Sequence, residues 1–367
     1  MIAPAEWQAE LEERRAAVRV IVEQNACDAA LIFGSQGHGQ HFRYLTNFAP
    51  VLGDMWLIAG PEERLVCVLD FDWQLEEARR RSGIEEWHGR LDGVEVVADK
   101  LAGLGPKRIA IAGLERLPVT VWHRVRERIR ETEVVDVGTE VATLRRRKSP
   151  LEIRLLQEAA RLTDVALDVA RTEARPGVSE RDLAARLGQA LGPEWSFPPT
   201  VVSGNDDPIP IREPTERRLE TGDSVMVDIG AAYEGYQADA TRTFVLGNTN
   251  QEQRRVWDAV LRAYEAAIEA TRAGVPCVAL HKAAAAAAED AGYPLAHRIG
   301  HGIGLATSFE WPDLANEQAE LEAGVTICVE PGIAVPGAGV MKLEDDVVVT
   351  EGGCELLTHS ERSLDVA

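Results

Sequence analysis

Acidic residues occur in two segments of the chain that each have the pattern of a β-hairpin. In the first segment, residues 224–244, an apolar run containing Asp228 is followed by a turn with glycine and by a run that starts at Asp239. A turn centred on Tyr233 and Glu234 predicts that the two aspartates lie directly opposite each other. Like charges with Cβ atoms about 5 Å apart destabilise a sheet unless a cation offsets them. This hairpin therefore predicts a cation site.

A second predicted hairpin near the C-terminal end carries another pair of acids. One apolar strand, residues 325–330, ends on Glu330, and another, residues 340–350, contains Glu344. A Pro-Gly pair between the two strands favours a turn. Symmetric closure about Gly337 predicts that the two glutamates face each other, so the chain uses the same arrangement of acids twice.

The segment between the two hairpins contains His297 and His301 among three glycines. So many glycines make a helix implausible and indicate a loop or strand whose backbone closely approaches another group. A single histidine, or a single acid at a turn, is more often structural than functional. His301 with the four carboxylates, however, forms a set that suits two divalent ions such as Mn²⁺, Co²⁺ or Zn²⁺. Two such ions can activate water, so the predicted chemistry is hydrolysis.

The length of 367 residues and a change of pattern near Arg145 predict two domains, residues 1–144 and 145–367. The first part alternates helix and strand patterns, which is typical of an α/β domain. Ser149 and Glu152 have the spacing of a helix start with a capping box, so the second domain begins with a helix. The rest of that domain groups its helix and strand patterns separately, which predicts an α+β fold.

Composition limits the expected partners and location. The formal net charge of −21 repels nucleic-acid phosphates, so no nucleic-acid partner is expected. The sequence lacks a run of about 18 uncharged apolar residues, which predicts no membrane span, and its first residues do not resemble a secretory signal. The five cysteines are scattered without Cys-x-x-Cys spacing and indicate a reducing compartment. A cytoplasmic location is therefore predicted.

The motifs around these residues resemble those of the pita-bread metallopeptidases, the family that includes aminopeptidase P, prolidase and methionine aminopeptidase. The matching motifs are Asp228-Ile-Gly, Asp239-Ala-Thr-Arg-Thr-Phe, Gly300-His301-Gly, Glu330-Pro-Gly and Leu343-Glu344-Asp. The resemblance implies an α+β catalytic domain of antiparallel strands backed by two helix pairs. It also implies an α/β creatinase-like N-terminal domain before it, a homodimer, and manganese as the usual metal, with cobalt or zinc as alternatives.

The resemblance also implies a role for each of these side chains. Asp228 would hold one metal ion, His301 and Glu330 would hold the other, and Asp239 and Glu344 would bridge the two. Glu330 would also transfer the proton from water to the leaving nitrogen, and His297 would lie near the substrate. The implied activity is cleavage of short peptides before proline, as in an Xaa-Pro aminopeptidase or dipeptidase.

Three positions depart from the family pattern, and all three are predicted substrate contacts. Ile211 follows Pro210 where the family commonly has a histidine, Ser308 replaces a second histidine, and Lys342 replaces an arginine. Lysine keeps the charge of arginine but loses its planar fork. These departures leave two alternatives open: a hydrolase of a small non-peptide C–N bond, like creatinase or ectoine hydrolase, and a non-catalytic binding protein on the same fold.

Overall fold

The chain folds into two compact units that divide between Arg145 and Arg146. The computed structural model describes residues 2–61, 64–206, 209–306 and 310–365, so the predicted contact Ser308 lies outside the described residues. Each unit has a buried apolar core of its own. Within the described ranges, none of the helices has both the length and the apolar composition needed to cross a membrane.

The first unit is built on a six-stranded mixed sheet. Its strands in chain order are β1 (Ala29–Gly34), β2 (Met55–Ala59), β3 (Leu65–Leu69), β4 (Glu86–Gly89), β5 (Arg108–Ala112) and β6 (Glu133–Asp136). In space the order is β4, β3, β2, β1, β5, β6, and β1 is parallel to β5 but antiparallel to β2. The helices of this unit are α1 (Pro4–Gln24), α2 (Gln40–Thr46), α3 (Leu75–Ser82), α4 (Val94–Leu104), α5 (Val119–Arg128) and α6 (Gly138–Leu144). The predicted α/β class is confirmed.

The second unit contains two helix pairs. The helices are α7 (Pro150–Glu173), α8 (Glu180–Leu191), α9 (Gln251–Ala270) and α10 (Cys277–Asp290). The predicted capping box at the start of α7 is confirmed, because the Glu152 amide donates to Ser149 Oγ at 3.2 Å and the Ser149 amide donates to Glu152 Oε2 at 2.9 Å. The other Glu152 oxygen accepts a hydrogen bond from the Tyr236 hydroxyl at 2.9 Å, which joins this helix start to the first hairpin.

The strands of the second unit form antiparallel sheets. They are β7 (Thr200–Ser203), β8 (Ser224–Ile229), β9 (Ala232–Tyr233), β10 (Tyr236–Gln237), β11 (Ala240–Val245), β12 (His301–Gly302), β13 (Glu310–Asp313), β14 (Thr326–Val329), β15 (Gly332–Val335), β16 (Gly339–Lys342), β17 (Asp345–Val349) and β18 (Cys354–Leu356). Three strands pair in the order β11, β8, β7, and five in the order β13, β12, β14, β17, β18, while β15 pairs with β16.

Each helix pair packs on one group of strands. Leu167 of α7 and Leu183 of α8 share a buried core with Val227 of β8. In a second core, Val260 of α9 and Leu280 of α10 are clustered with residues of the five-stranded sheet. Antiparallel sheets backed by two helix pairs are the architecture that the sequence motifs implied, so the predicted fold class is confirmed.

The register of the first hairpin differs from the prediction. Asp228 pairs with Thr241, not with Asp239, and the β9–β10 ladder pairs Tyr233 with Tyr236. The turn is therefore centred between Glu234 and Gly235, which both have positive φ, 49° and 84°. Two such residues form the type of tight turn that matches the twist of a hairpin.

This turn moves the register by two residues and leaves the two aspartates as diagonal neighbours on one face, since residues two apart on a strand point the same way. The prediction that they lie directly opposite each other is wrong, although they remain close.

The register of the second hairpin agrees with the prediction. The β15–β16 ladder pairs Gly332 with Lys342, and the β14–β17 ladder pairs Val329 with Asp345. Both ladders are symmetric about Gly337, where φ is 89°. Glu330 and Glu344 occupy opposing positions between the two ladders, where the hairpin passes from one sheet to the other.

Candidate metal centre

The five predicted metal ligands come from separate elements but converge in the second unit. Asp228 is on β8, Asp239 precedes β11, His301 is on β12, and Glu330 and Glu344 lie between paired strands of the second hairpin. All five side chains are buried. A cavity of about 280 Å³ opens beside them and is lined by Phe197, Thr200, Ile211, Asp228, Asp239, His297, Arg298, His301, Glu330 and Lys342.

A lysine ammonium lies inside the carboxylate cluster. Lys342 Nζ is 2.8 Å from Asp228 Oδ2, 2.8 Å from Glu330 Oε2 and 3.0 Å from Glu344 Oε2. The Lys342 side chain is 3% exposed. Burial alone would lower the pKa of Lys342, but the surrounding carboxylates outweigh burial and raise this pKa well above its ordinary value. The positive charge of Lys342 therefore offsets the negative charge of the three carboxylates.

The remaining atoms of the cluster face His301. His301 Nε2 is 3.7 Å from Asp239 Oδ2 and 3.7 Å from Glu330 Oε1. His301 Nδ1 is 3.1 Å from the Gly302 carbonyl oxygen. Because a carbonyl oxygen only accepts hydrogen bonds, Nδ1 is the donor in this contact, and Nε2 is the ring nitrogen that faces the acids.

These residues fit a divalent metal ion. Asp239, His301, Cys328 and Glu344 each offer one ligand atom, and the four atoms all lie within 4.8 Å of one another. Within the set of five predicted ligands, two buried carboxylate oxygens have no hydrogen-bond partner among the described residues, Asp228 Oδ1 and Glu344 Oε1. Unpaired buried anionic oxygens are costly, and a cation is the partner that their chemistry calls for.

Burial and mutual repulsion change the proton affinity of the acids. Burial raises the pKa of Asp239 well above its ordinary value, and the charges of Glu344 and Asp228 add to the effect. Glu330 behaves differently: burial would raise its pKa, but Lys342, His301 and His297 together lower this pKa below the ordinary value. Glu330 is therefore held ionised and can accept a proton.

Surrounding hydrogen bonds fix the orientation of the acids. Thr241 Oγ1 donates to Glu344 Oε2 at 2.7 Å, and the Asp239 amide donates to Asp346 Oδ2 at 2.9 Å. Arg242 is 1% exposed and donates to the Glu344 carbonyl at 2.6 Å and to Asp345 Oδ1 at 2.6 Å. These contacts join β11 to the segment before β17, so each hairpin holds the acids of the other in place.

The predicted substrate contacts have different surroundings. Ile211 lines the cavity and is 57% exposed, so it has the position of a wall residue. His297 also lines the cavity, and its Nδ1 is 2.6 Å from the Arg298 carbonyl and 3.9 Å from Glu330 Oε2. Lys342 reaches the cavity as well, but its ammonium contacts the three carboxylates.

Sequence reasoning missed three wall residues, Phe197, Thr200 and Arg298. Phe197 and Thr200 lie just before and at the start of β7, far from any motif in the sequence, and gave no signal. Arg298 could have been found, since it follows His297 directly and a loop that presents one side chain to a cavity often presents its neighbour.

The two-layered arrangement of helix pairs and antiparallel sheets, together with the buried cluster of carboxylates and histidine, defines a metallopeptidase of the pita-bread fold. This chain belongs to metallopeptidase family M24, whose model matches residues 154–351. The model of the Creatinase/Prolidase N-terminal domain matches residues 14–147. The two matches together span both structural units.

Proteins of known name resemble the chain over almost its whole length. The Xaa-Pro dipeptidase of Pyrococcus horikoshii is 28% identical over 356 residues, which make up 94% of this chain and 96% of the relative. Among solved structures, an Xaa-Pro dipeptidase from Bacillus anthracis has a TM-score of 0.87 at 28% identity, covering 97% of this chain and 100% of that one. An X-Pro aminopeptidase from Thermotoga maritima also has a TM-score of 0.87, at 26% identity, covering 96% and 99%.

Proposed function

We propose that this protein is a metal-dependent hydrolase that cleaves short peptides before proline, as an Xaa-Pro dipeptidase or aminopeptidase. The observation that carries the proposal is the group of ligand atoms from Asp239, His301 and Glu344 beside a cavity that Glu330 and His297 also line. Relatives named Xaa-Pro dipeptidase match nearly the full chain, which supports the same reaction here.

The ligand set favours a divalent ion, with Mn²⁺ first and Co²⁺ or Zn²⁺ as alternatives. Asp239, His301 and Glu344 would hold the ion, with oxygens of Asp228 and Glu330 beside it. Carboxylates with one imidazole are suitable ligands for these ions. When bound, such an ion makes a water molecule more acidic and polarises the peptide carbonyl.

Glu330 is the residue that would move the proton. It is ionised, lines the cavity, and directs Oε1 toward His301 while Lys342 holds Oε2. A carboxylate placed in this way can take a proton from the attacking water and return it to the leaving nitrogen. His297 lies beside it in the cavity wall, and its ring is oriented by the contact of Nδ1 with the Arg298 carbonyl oxygen.

The cavity walls suit a short peptide. Phe197 and Ile211 provide apolar surface for a proline ring. Arg298 lines the same cavity and is 34% exposed, and its Nη1 is 3.7 Å from Asp313 Oδ2. Its planar guanidinium is suited to bind the terminal carboxylate of a dipeptide. A volume of about 280 Å³ favours substrates of two or three residues.

The test is cleavage of a peptide panel by metal-free protein that has been reloaded separately with Mn²⁺, Co²⁺ or Zn²⁺. We expect hydrolysis of Ala-Pro and Met-Pro, slower hydrolysis of Ala-Pro-Ala, and none of Ala-Ala. Glu330→Gln should reduce kcat by about 100-fold or more, because the proton acceptor is lost. Absence of cleavage of every Xaa-Pro peptide with all three metals would contradict the proposal.

A second candidate is hydrolysis of a C–N bond in a small non-peptide compound. Two observations favour it: an apolar Ile211 in the cavity wall where the family commonly has a histidine, and Lys342, whose ammonium is bound to carboxylates instead of facing a substrate. Creatine and N-acetylated amino acids incubated with the same metal-loaded samples distinguish the candidates. Turnover of one of these compounds without turnover of Ala-Pro would favour the second.

Assembly, location and domain limits are also proposals. We propose a homodimer, which the family resemblance supports, with domains at residues 1–144 and 145–367, close to the observed division at Arg145. All five cysteines are free thiols, which supports a reducing, cytoplasmic location. Light scattering should give twice the chain mass of 40.1 kDa; a monomer mass at micromolar concentration would contradict the dimer.

A further inference from the structure

The carboxylate oxygens of the cluster fall into two groups. One oxygen each of Asp228, Glu330 and Glu344 contacts Lys342 Nζ at 2.8 to 3.0 Å. Divalent ions bind carboxylate oxygens at about 2.0–2.2 Å. An ion shared by these same three oxygens would therefore lie within the volume of the ammonium group. Lys342 and a metal ion cannot occupy this position together.

The second group of atoms is directed away from Lys342 and is sufficient for one ion. It includes Asp239 and His301, which approach each other to 3.7 Å, and Glu344, whose Oε1 is buried without a hydrogen bond among the described residues. Cys328 Sγ lies 3.4 Å from His301 Nε2 at the edge of the same group. Its ligand atoms are the ones that lie within 4.8 Å of one another.

Lys342 is held firmly in its position. Its amide donates to Thr243 Oγ1 at 3.0 Å, and the Thr243 hydroxyl donates to the Lys342 carbonyl at 2.9 Å, so β11 fixes the backbone of β16 on both sides of this residue. The side chain is also almost fully buried, and its contacts with three carboxylates hold the ammonium in place.

We propose that this chain binds a single divalent ion, at Asp239, His301 and Glu344, and that the ammonium group of Lys342 replaces the second ion predicted from the sequence. Lys342 supplies positive charge to Asp228, Glu330 and Glu344, and the divalent ion supplies it to the other side of the cluster. The inference rests on the metal-dependent chemistry proposed above but not on the identity of the substrate.

Metal stoichiometry and electron paramagnetic resonance test the proposal directly. We expect full-length protein saturated with Mn²⁺, with excess metal removed, to hold about one ion per chain by elemental analysis. We expect the six-line spectrum of an isolated Mn²⁺ ion. Two ions per chain with the spectrum of an exchange-coupled pair would overturn the proposal, whether or not the protein cleaves peptides. Cleavage of no Xaa-Pro peptide, by contrast, would affect only the proposed function.

Lys342→Met tests whether the ammonium group is what excludes a second metal ion. Methionine has a similar length but no charge, so a second ion becomes the available partner for the three carboxylates, and we expect about two ions per chain with a coupled spectrum. Lys282→Met makes the same change at an exposed position of α10 and should leave the count at one. A count of one in folded Lys342→Met protein would show that Lys342 is not what excludes the second ion. If Lys342→Met does not fold, Lys342→Gln and the wild-type count still decide the question.

Discussion

The two carboxylate oxygens of Glu330 have different partners and different roles. One of its oxygens contacts Lys342 and the other faces His301, so a single carboxylate is oriented by a cation on one side while the other side remains available for a proton. Asp239 has no such cation at hydrogen-bond distance among the described residues, and burial with repulsion from Glu344 and Asp228 raises its pKa. Bound metal is therefore the interaction that would keep Asp239 ionised.

Asp239→Asn should remove most metal binding. The substitution keeps the shape of the side chain but removes the negative charge that faces His301 Nε2 at 3.7 Å, so we expect metal affinity to fall on the order of 100-fold or more, with activity lost in parallel. Elemental analysis and isothermal titration with Mn²⁺ measure the change. Asp258→Asn, at an exposed position of α9, is the matched control. Wild-type metal affinity in Asp239→Asn would show that the ligand assignment is wrong.

At the scale of elements, Glu180 positions the segment that brings Ile211 to the cavity. Glu180 lies in the first turn of α8 and is fully buried. It accepts hydrogen bonds from Ser203, at the end of β7, and from Arg212 and Thr215, beyond Ile211. Burial would raise the pKa of Glu180, but Arg212, Thr215 and Ser203 outweigh it and lower the pKa to about 2.

Glu180 should stabilise the fold in a pH-dependent manner. Its pKa in the folded state lies below that of the unfolded chain, so its contribution is fully present above about pH 4.5 and is lost as the pH falls toward 2. We expect Glu180→Gln to lower the free energy of unfolding by roughly 3 kcal/mol at pH 7 and by much less near pH 2. Urea unfolding at both pH values measures this difference, and an equal loss at both would contradict it.

The helices and hairpins could be predicted from the sequence, but several contacts between them could not. The capping box at Ser149 and the symmetric second hairpin were predictable because each depends on residues close together in the chain. The register of the first hairpin was missed because the predicted turn used Tyr233 and Glu234, whereas the observed turn uses Glu234 and Gly235. The tolerance of glycine for positive φ was the local signal for the observed turn.

The position of the Lys342 ammonium could not be predicted from the sequence at all. It lies among acids from three different strands or turns, and the most distant, Asp228, is 114 residues away in the chain. The sequence showed only that a lysine stands where the family has an arginine, which suggested a contact with substrate. Which atoms a buried charge meets is decided by packing between elements, and no local pattern records that packing.

At the scale of the whole molecule, repulsion among the many acidic side chains destabilises the fold, and this repulsion is strongest at the metal site. The formal net charge is −21, and the four acids of the cluster, Asp228, Asp239, Glu330 and Glu344, are buried together in the second unit. Self-repulsion of this kind destabilises a compact chain. Lys342 offsets part of the repulsion in the absence of metal, and a divalent ion would offset more of it.

Removal of metal should therefore lower the free energy of unfolding of the protein but leave it folded at 25 °C. We expect protein treated with a chelator to keep its near-ultraviolet circular dichroism at 25 °C, and its melting temperature to rise when Mn²⁺ is added. Free metal at 100 times its Kd raises the free energy of unfolding by about 2.7 kcal/mol. Asp239→Asn should show little or no rise, which separates binding at this site from general ionic effects. Unfolding on chelation would contradict the stabilising role given to Lys342.

The position of the second hairpin in the chain also determines when the residues of the cluster are synthesised on the ribosome. Asp228 and Asp239 emerge long before Lys342, whereas Glu330, Lys342 and Glu344 emerge together within one short stretch of chain. Asp228 is thus synthesised long before the ammonium that contacts it, whereas Glu330 and Glu344 are synthesised close to it in the chain. A nascent chain that stops before residue 342 has the first hairpin without the ammonium that contacts Asp228. The set of side chains that forms the cluster is therefore complete only after residue 344 of 367 has been synthesised.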